Sequence, residues 1–384
     1  MKLRSCLFLA VISIVLFHVG RVETSRRPRY GGTVRVEIGA VLHSLDPAGA
    51  PADPDEAAAK NEIDALLYDQ RNADGTFAGV AGSGAFHISD WESGKRVVLA
   101  ANENYHGGRA FVDSIDIEMG RAAKDRLLDL ELGRVDFAEI PPEEARHAAE
   151  RGVRVSTSAP EELVALVFIG GRAIAEDAQV REAVARSIDR AAIVNFILQK
   201  EGELAGGLLP QWSNGTAFLF ATAGDAAGAK ALWSQIGGTP AIVLGYDSGD
   251  SLDQAIAERI AVNARDAGIA LSAEPMAIST PSSANFDARL VRLRMTSSHP
   301  RDALVSFQAV LAPMAGLDPA PLSIRATYEQ IYERERTIVN GYRVVPLVWL
   351  PRVYGLGARV RDWKAPAAGE RWPFVDVWLE QESP

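Results

Sequence analysis

Residues 82–119 read GSGAFHISDWESGKRVVLAANENYHGGRAFVDSIDIEM, and the patterning of this stretch decides the architecture. A glycine turn leads into Phe86, Ile88 and Trp91, then ESGK turns the chain and RVVLAAN returns as a second apolar run. Two such runs joined by a short glycine-containing turn predict an antiparallel hairpin. Val112, Ile115 and Ile117 predict a further strand. The glycine turn is no phosphate loop, because GSGAF lacks a Lys-Ser/Thr ending and runs into a strand instead of a helix.

Working outward, GTVRVEIGA alternates Val34, Val36 and Ile38 as a strand, a Pro/Ala/Asp loop follows, and KNEIDALLYDQ reads as a short helix. NADGTFAGV is a tight turn built on Asp-Gly. AAKDRLLDLELG is helical, with Leu128 and Leu132 on one face and Gly133 closing it, and RVDFAEIPP is a strand stopped by prolines. LVALVFIGG predicts a strand buried on both faces. Val180, Val184 and Ile188 share a helical face, with Asp177 and Asp189 as N-caps of successive helices. Residues 241–274 read strand, helix, strand, with a parallel crossover. A last helix carries Ile324, Tyr328, Ile331 and Ile338 and leads into RVVPLVWLPRVYGLG, an apolar segment interrupted by Pro346 and Pro351.

The chain has 384 residues, too many for one ordinary core, and neither a repeat nor a low-complexity linker divides it. Two lobes that share strands are expected. The net charge of −10 argues against nucleic acid or anionic lipid as the main partner. Lys2 and Arg4 precede an apolar run from Cys6 to about Phe17, the layout of an export signal. Residues 1–25 therefore read as a signal peptide, or as an anchor where cleavage fails, which places the protein in the periplasm or outside the cell. Cys6 is the sole cysteine, so disulfides, thiolate catalysis and cysteine metal sites are not expected after it.

The order of segments resembles family 5 extracellular solute-binding proteins, the oligopeptide, dipeptide and nickel receptors of ABC transporters. The residues that carry the likeness are GGTVRVEIGAVLHSLDP (31–47), the 82–119 stretch, LELGRVDFAEIPP (130–142), DAQVREAVARSIDRAAIVNFILQKEGELAGGLLP (177–210) and IAERIAVNARDAGIAL (256–271). Within 82–119, Asn104, Tyr105, Gly107 and Gly108 match the family's NPNYWGG loop, and His106 stands where tryptophan is usual. The resemblance implies a two-lobed α/β fold of the type II periplasmic-binding-protein kind with mixed sheets. Lobe I would comprise 26–167 and 347–384, and lobe II 168–346. Between LLYDQ and GSGAF the family carries a whole subdomain that this chain replaces with RNADGTFAGVA, so lobe I is expected to be shortened.

Catalysis has little support. There is no Gly-x-Ser-x-Gly elbow, His-Glu-x-x-His or P-loop, and the histidines lack metal-ligand spacing, so neither metal nor cofactor is expected. The resemblance implies instead a receptor that captures a small polar solute, peptide-like or otherwise, between its lobes and docks on an ABC permease as a monomer. It places His43, Ser44 and Asp46 of HSLDP beside the cleft, although Asp before Pro also simply starts a turn. RMTSSHPRDA (294–303) holds Ser297, Ser298 and His299 where dipeptide receptors carry an acidic residue, which leaves Asp302 as the remaining carboxylate for a ligand ammonium. Arg292 or Arg294 would pair with a ligand carboxylate, and Trp349 lines the cleft or packs the hinge. The alternative is an exported interaction or sensory protein that keeps the scaffold and no longer delivers solute.

Overall fold

Alternation turns Val34 and Val36 inward from the first strand of the computed structural model, β1 (Thr33–Glu37). The structure describes residues 27–46, 49, 51, 54–68, 70–71, 77–78, 82–236, 241–277, 285–318, 320 and 322–380. The expected leader and most of the NADGTFAGV turn lie outside these residues. A helix, Pro54–Leu67, and a short pair, β2 (Gln70–Arg71) with β3 (Phe77–Ala78), precede the 82–119 stretch. That stretch forms the hairpin β4 (Phe86–Glu92) and β5 (Arg96–Ala101), then β6 (Ser114–Glu118). There follow β7 (Phe137–Ile140), β8 (Arg154–Phe168), β9 (Glu203–Leu204), β10 (Ile242–Asp247), β11 (Leu271–Met276), β12 (Ala288–Arg294) and β13 (Val344–Leu356). The last pair is β14 (Val360–Arg361) with β15 (Trp378–Leu379).

One mixed sheet runs in the order β11-β10-β12-β8-β13-β7-β1-β6-β5-β4, with β9 alongside β13. β1 is parallel to both β6 and β7 at one end, and β10 to both β11 and β12 at the other. The two long central strands are antiparallel and reach into both halves. Arg154 to Thr157 pair with Leu356 to Val353 beside β7, whereas Glu162 to Val167 pair with Leu350 to Val344 beside β12. Between these two ladders Pro160 faces Pro351, and the register shifts on either side of Pro351. A proline donates no backbone N–H, so hydrogen bonding is thinnest there.

Each half has its own apolar core. In the first, Phe137 sits among Tyr354, Trp363, Trp372 and Phe374, with ring centroids 4.5–5.5 Å away. This cluster fastens the C-terminal segment back onto β7. In the second half, Leu163 to Phe168 are wholly buried, packed on opposite faces by the helices Ala178–Ser187 and Pro300–Ala315. Asp177 accepts from Gln179 N and Val180 N, and Asp189 from Ala192 N, as the caps predict.

Five expectations change. The first helix begins at Pro54, inside the expected loop. In the helix Ala123–Glu131 the buried leucines are Leu127 and Leu130, and Leu128 and Leu132 are about half exposed. Ile324 and Tyr328 are exposed because the last helix starts only at Tyr328, behind a Thr327–Gln330 capping box. Residues 344–356 form one continuous buried strand despite two prolines. On β4 only Phe86 is buried and Ile88 is exposed, since β4 is an edge strand with a bulge between Ile88 and Asp90.

The glycine turn has a structural purpose. Gly84 N donates to Leu67 O at 3.0 Å, and a Cβ at Gly84 would lie 2.5 Å from Leu66 O. Asn102 Nδ2 donates to Gly82 O at 2.8 Å and Gly84 O at 2.9 Å, so the NENYHGG loop grips the turn that abuts the first helix. We expect Gly84→Ala to lower the unfolding free energy by about 1–3 kcal/mol through overpacking, and Asn102→Ala by about 1–3 kcal/mol through two orphaned carbonyls. Urea unfolding of the singles and the double should show non-additivity, because both act on one turn.

Candidate functional site

Arg352 lies on β13 just past the proline pair, in a run of thirteen buried residues. Its Nη1 donates to Glu62 Oε1 at 2.8 Å, and its Nε and Nη2 donate to the two oxygens of Glu139 at 3.2 and 3.3 Å. Glu161 Oε1 approaches the Nε at 3.7 Å. These carboxylates come from the first helix, β7 and β8, so one guanidinium ties three segments together. Glu62 is held from its far side as well, since Trp372 N donates to its Oε2 at 2.9 Å. The Tyr354 ring lies 5.3 Å from the Arg352 guanidinium. Its buried hydroxyl has no hydrogen-bond partner among the described residues.

A second set of ion pairs adjoins the first on β12. Glu162 receives Arg294 Nη2 at 3.3 Å and Arg292 Nη1 at 3.5 Å, and Arg292 also meets Asp253 at 2.9 Å and Asp250 at 2.6 Å. In direct contact, then, three arginines face six carboxylates, so some of the acids must bind protons or tolerate repulsion. Burial pushes Glu161 up to about 7, against the pull of Arg352 and Arg294. Burial likewise pushes Asp253 up to about 6, and Glu62 upward. Glu139 goes the other way: burial would raise it, but Arg352 and Arg294 outweigh that and hold it at about 2. Opposing causes thus favour the charged form of Glu139 and the protonated form of Glu161, Asp253 and Glu62.

The residues singled out from sequence fall into separate places. His43 N donates to Glu56 Oε1 at 2.8 Å, its carbonyl accepts from Ser93 Oγ, and Ser44 Oγ accepts from Asp46 N. Ser297 Oγ accepts from His299 N at 3.1 Å, beside Gly369 of the C-terminal segment. His299 Nδ1 lies 3.8 Å from Asp302, whose carboxylate also meets Arg301. Ser298 and His299 are exposed. Arg294 is engaged by the chain's own Glu162, and Trp349 is 2% exposed and packed against Phe307. The sequence reading missed Glu62, Glu139, Glu161 and Arg352. The available signal was a charge inside an apolar run, lone in LVWLPRVYGL and flanked by a second acid in VDFAEI. Neither of two surface cavities, of about 1200 and about 290 Å³, touches this cluster.

Two half-sheets, each with parallel strands at its centre, threaded by a pair of long antiparallel strands make the mixed α/β architecture of type II periplasmic binding proteins. The chain belongs to family 5 of the bacterial extracellular solute-binding proteins: the family described as "Bacterial extracellular solute-binding proteins, family 5 Middle" matches residues 44–309. It is 26% identical over 206 residues to the probable D,D-dipeptide-binding periplasmic protein DdpA of Escherichia coli (strain K12), covering 52% of this chain and 40% of that one. It is 26% identical over 125 residues to the oligopeptide-binding protein AppA of Bacillus subtilis (strain 168), covering 32% of this chain and 23% of that one. The matches thus span less than half the length of either relative. The ABC transporter substrate binding protein CtaP from Listeria monocytogenes superposes with a TM-score of 0.74 at 14% identity, over 91% of this chain and 100% of that one. All three are named as binding proteins, not enzymes. No described helix is long and apolar enough to cross a membrane.

Because Glu161 titrates higher in the fold than in the unfolded chain, its protonation contributes stability that is full below about pH 4 and is lost as pH rises through about 7. That loss is on the order of 3 kcal/mol. Glu161→Gln should therefore melt about 3 °C or more above the parent at pH 8 and level with it at pH 5. Parallel melting profiles across this range would refute the assignment.

Proposed function

We propose that the protein is the solute-capturing receptor of an ABC permease, with two lobes that open and close about the Pro160–Pro351 pair. The observation that carries this reading is that the described chain passes between the half-sheets only in β8 and β13, and that both bear a proline at the same level. Two strands with a thinned ladder bend at low cost, while each half keeps its own core. In this reading the first lobe is closed by the C-terminal segment, and its HSLDP residues His43, Ser44 and Asp46 form one rim. Arg294, Ser297, Ser298, His299 and Asp302 form the facing rim, and opening the lobes frees carboxylates now turned onto Arg352 and Arg294. The solute is small and polar, peptide-like in keeping with relatives named for oligopeptides and D,D-dipeptides.

One observation favours a second reading, a scaffold that has ceased to deliver solute. The space at the crossing is filled by the chain's own ion pairs, with Glu62, Glu161 and Arg352 all under 10% exposed. Thermal shift with di- to nonapeptides, joined to small-angle scattering, separates the two. For a receptor, at least one peptide raises Tm by several degrees, as binding to the folded state alone requires, and reduces the radius of gyration. Absence of both changes across the panel would leave the second reading standing.

A further inference from the structure

The smaller cavity, about 290 Å³, opens on the second half of the chain, apart from the crossing. Aromatic and aliphatic side chains, Phe220, Tyr332 and Tyr342 beside Val344 and Pro346, share its walls with polar groups. The Phe220 and Tyr332 rings stand 5.5 Å apart. Beside these rings lies Arg190, only 6% exposed. Its Nε donates to Pro346 O at 2.7 Å. Among the described residues nothing else bonds to or pairs with this guanidinium. Neither terminal nitrogen is sealed in the core, so four N–H donors remain for whatever occupies the cavity.

A buried cation without a counter-charge is costly, and natural chains keep one where it meets an anion. Among the described residues Arg190 has no carboxylate within reach. Burial alone draws its proton affinity down to about 10, with no acid to restore it. Arg352, equally enclosed, is surrounded by three carboxylates and shifts the opposite way. Cavity and charge thus point to the same missing partner. Arg336, half exposed and paired with Glu333, lies 6.0 Å from the Tyr332 ring at the same cavity and adds a second cation, and Asn340 adds a carboxamide. The volume sits at the low end for ligand pockets and suits a body of about one ring.

We propose that this cavity is a second binding site, separate from the crossing, for a small organic carboxylate whose head pairs with Arg190 and whose apolar body lies against Phe220, Tyr332 and Tyr342. A guanidinium offers two parallel N–H donors to a carboxylate, which fixes the head. The aromatic walls favour an organic acid over an inorganic oxyanion. The site is independent of any solute taken at the crossing, and its test does not involve peptides.

The test is calorimetric titration of the full chain with sodium benzoate, sodium phosphate and sodium chloride. Benzoate should bind with one-to-one stoichiometry, more tightly than phosphate, and chloride should give only dilution heat. Arg190→Met should weaken benzoate at least tenfold while leaving Tm equal or higher, because it removes a buried unpaired charge. Arg336→Ala, at a half-exposed position, should weaken it severalfold, and it carries the test should the Arg190 variant not fold. Benzoate heats no larger than those of chloride, phosphate binding as tightly as benzoate, or affinity unchanged in both variants would each overturn the proposal.

Discussion

Pro160 and Pro351 meet where two long strands pass from one half-sheet to the other, and neither can donate a hydrogen bond there. The chain makes good the loss with side chains and neighbouring strands. Arg352 N donates to Ser158 Oγ at 2.9 Å, Trp212 Nε1 to Pro160 O at 2.7 Å, and Met295 N to Glu161 O at 2.8 Å. Each bond brings in a different element: β8 itself, the short helix Gln211–Asn214, and the end of β12. A crossing held in this way is satisfied without being rigid, because single bonds to side chains can part where a continuous ladder would not.

The charges follow from this geometry. Leaving the ladder thin at the crossing exposes a polar seam between two apolar cores, and buried charge persists there only when paired and hydrogen-bonded. Arginine suits the position because its planar fork reaches several carboxylates at once, as Arg352 does with Glu62 and Glu139. Lysine would present a single point charge. With more acids than arginines in contact, burial favours protons on the surplus acids, Glu62, Glu161 and Asp253.

Much of the fold was legible because burial on both faces leaves a plain mark. Leu163 to Phe168 and the capped helices after Asp177 and Asp189 read directly from apolar runs and short polar caps. The misread helix faces have a common cause. In RLLDLEL the leucines at 127, 128, 130 and 132 fit two overlapping periodicities, and only packing against Val135, Ala138 and Val153 selects Leu127 and Leu130. The crossing was hidden for a different reason. Glu62, Glu139, Glu161 and Arg352 lie far apart in the chain, each within a segment that local rules assign to core or to a solvated face. Their meeting is a product of strand order, which no window of residues contains. Trp349, expected either to line the cleft or to pack the hinge, is 2% exposed and packs against Phe307 in the second half's core.

β13 also links the two places where arginines are buried. Its register slips between Pro346 and Val348 and again around Pro351. An arginine attends each slip, Arg190 on the Pro346 carbonyl and Arg352 one residue beyond Pro351. A bulge turns a carbonyl out of the ladder, and a guanidinium can accept that duty with one N–H while keeping four others. At the crossing Arg352 instead gives its Nε, Nη1 and Nη2 to the carboxylates of Glu62 and Glu139 and none to a carbonyl. Beside Pro346, Arg190 gives one N–H to the carbonyl, and among the described residues the other four meet no protein partner. The difference lies in what faces each arginine: carboxylates brought by three other segments in one case, and an aromatic cavity in the other. Packing alone therefore accounts for one bond of Arg190, and the rest of its guanidinium lies at the cavity.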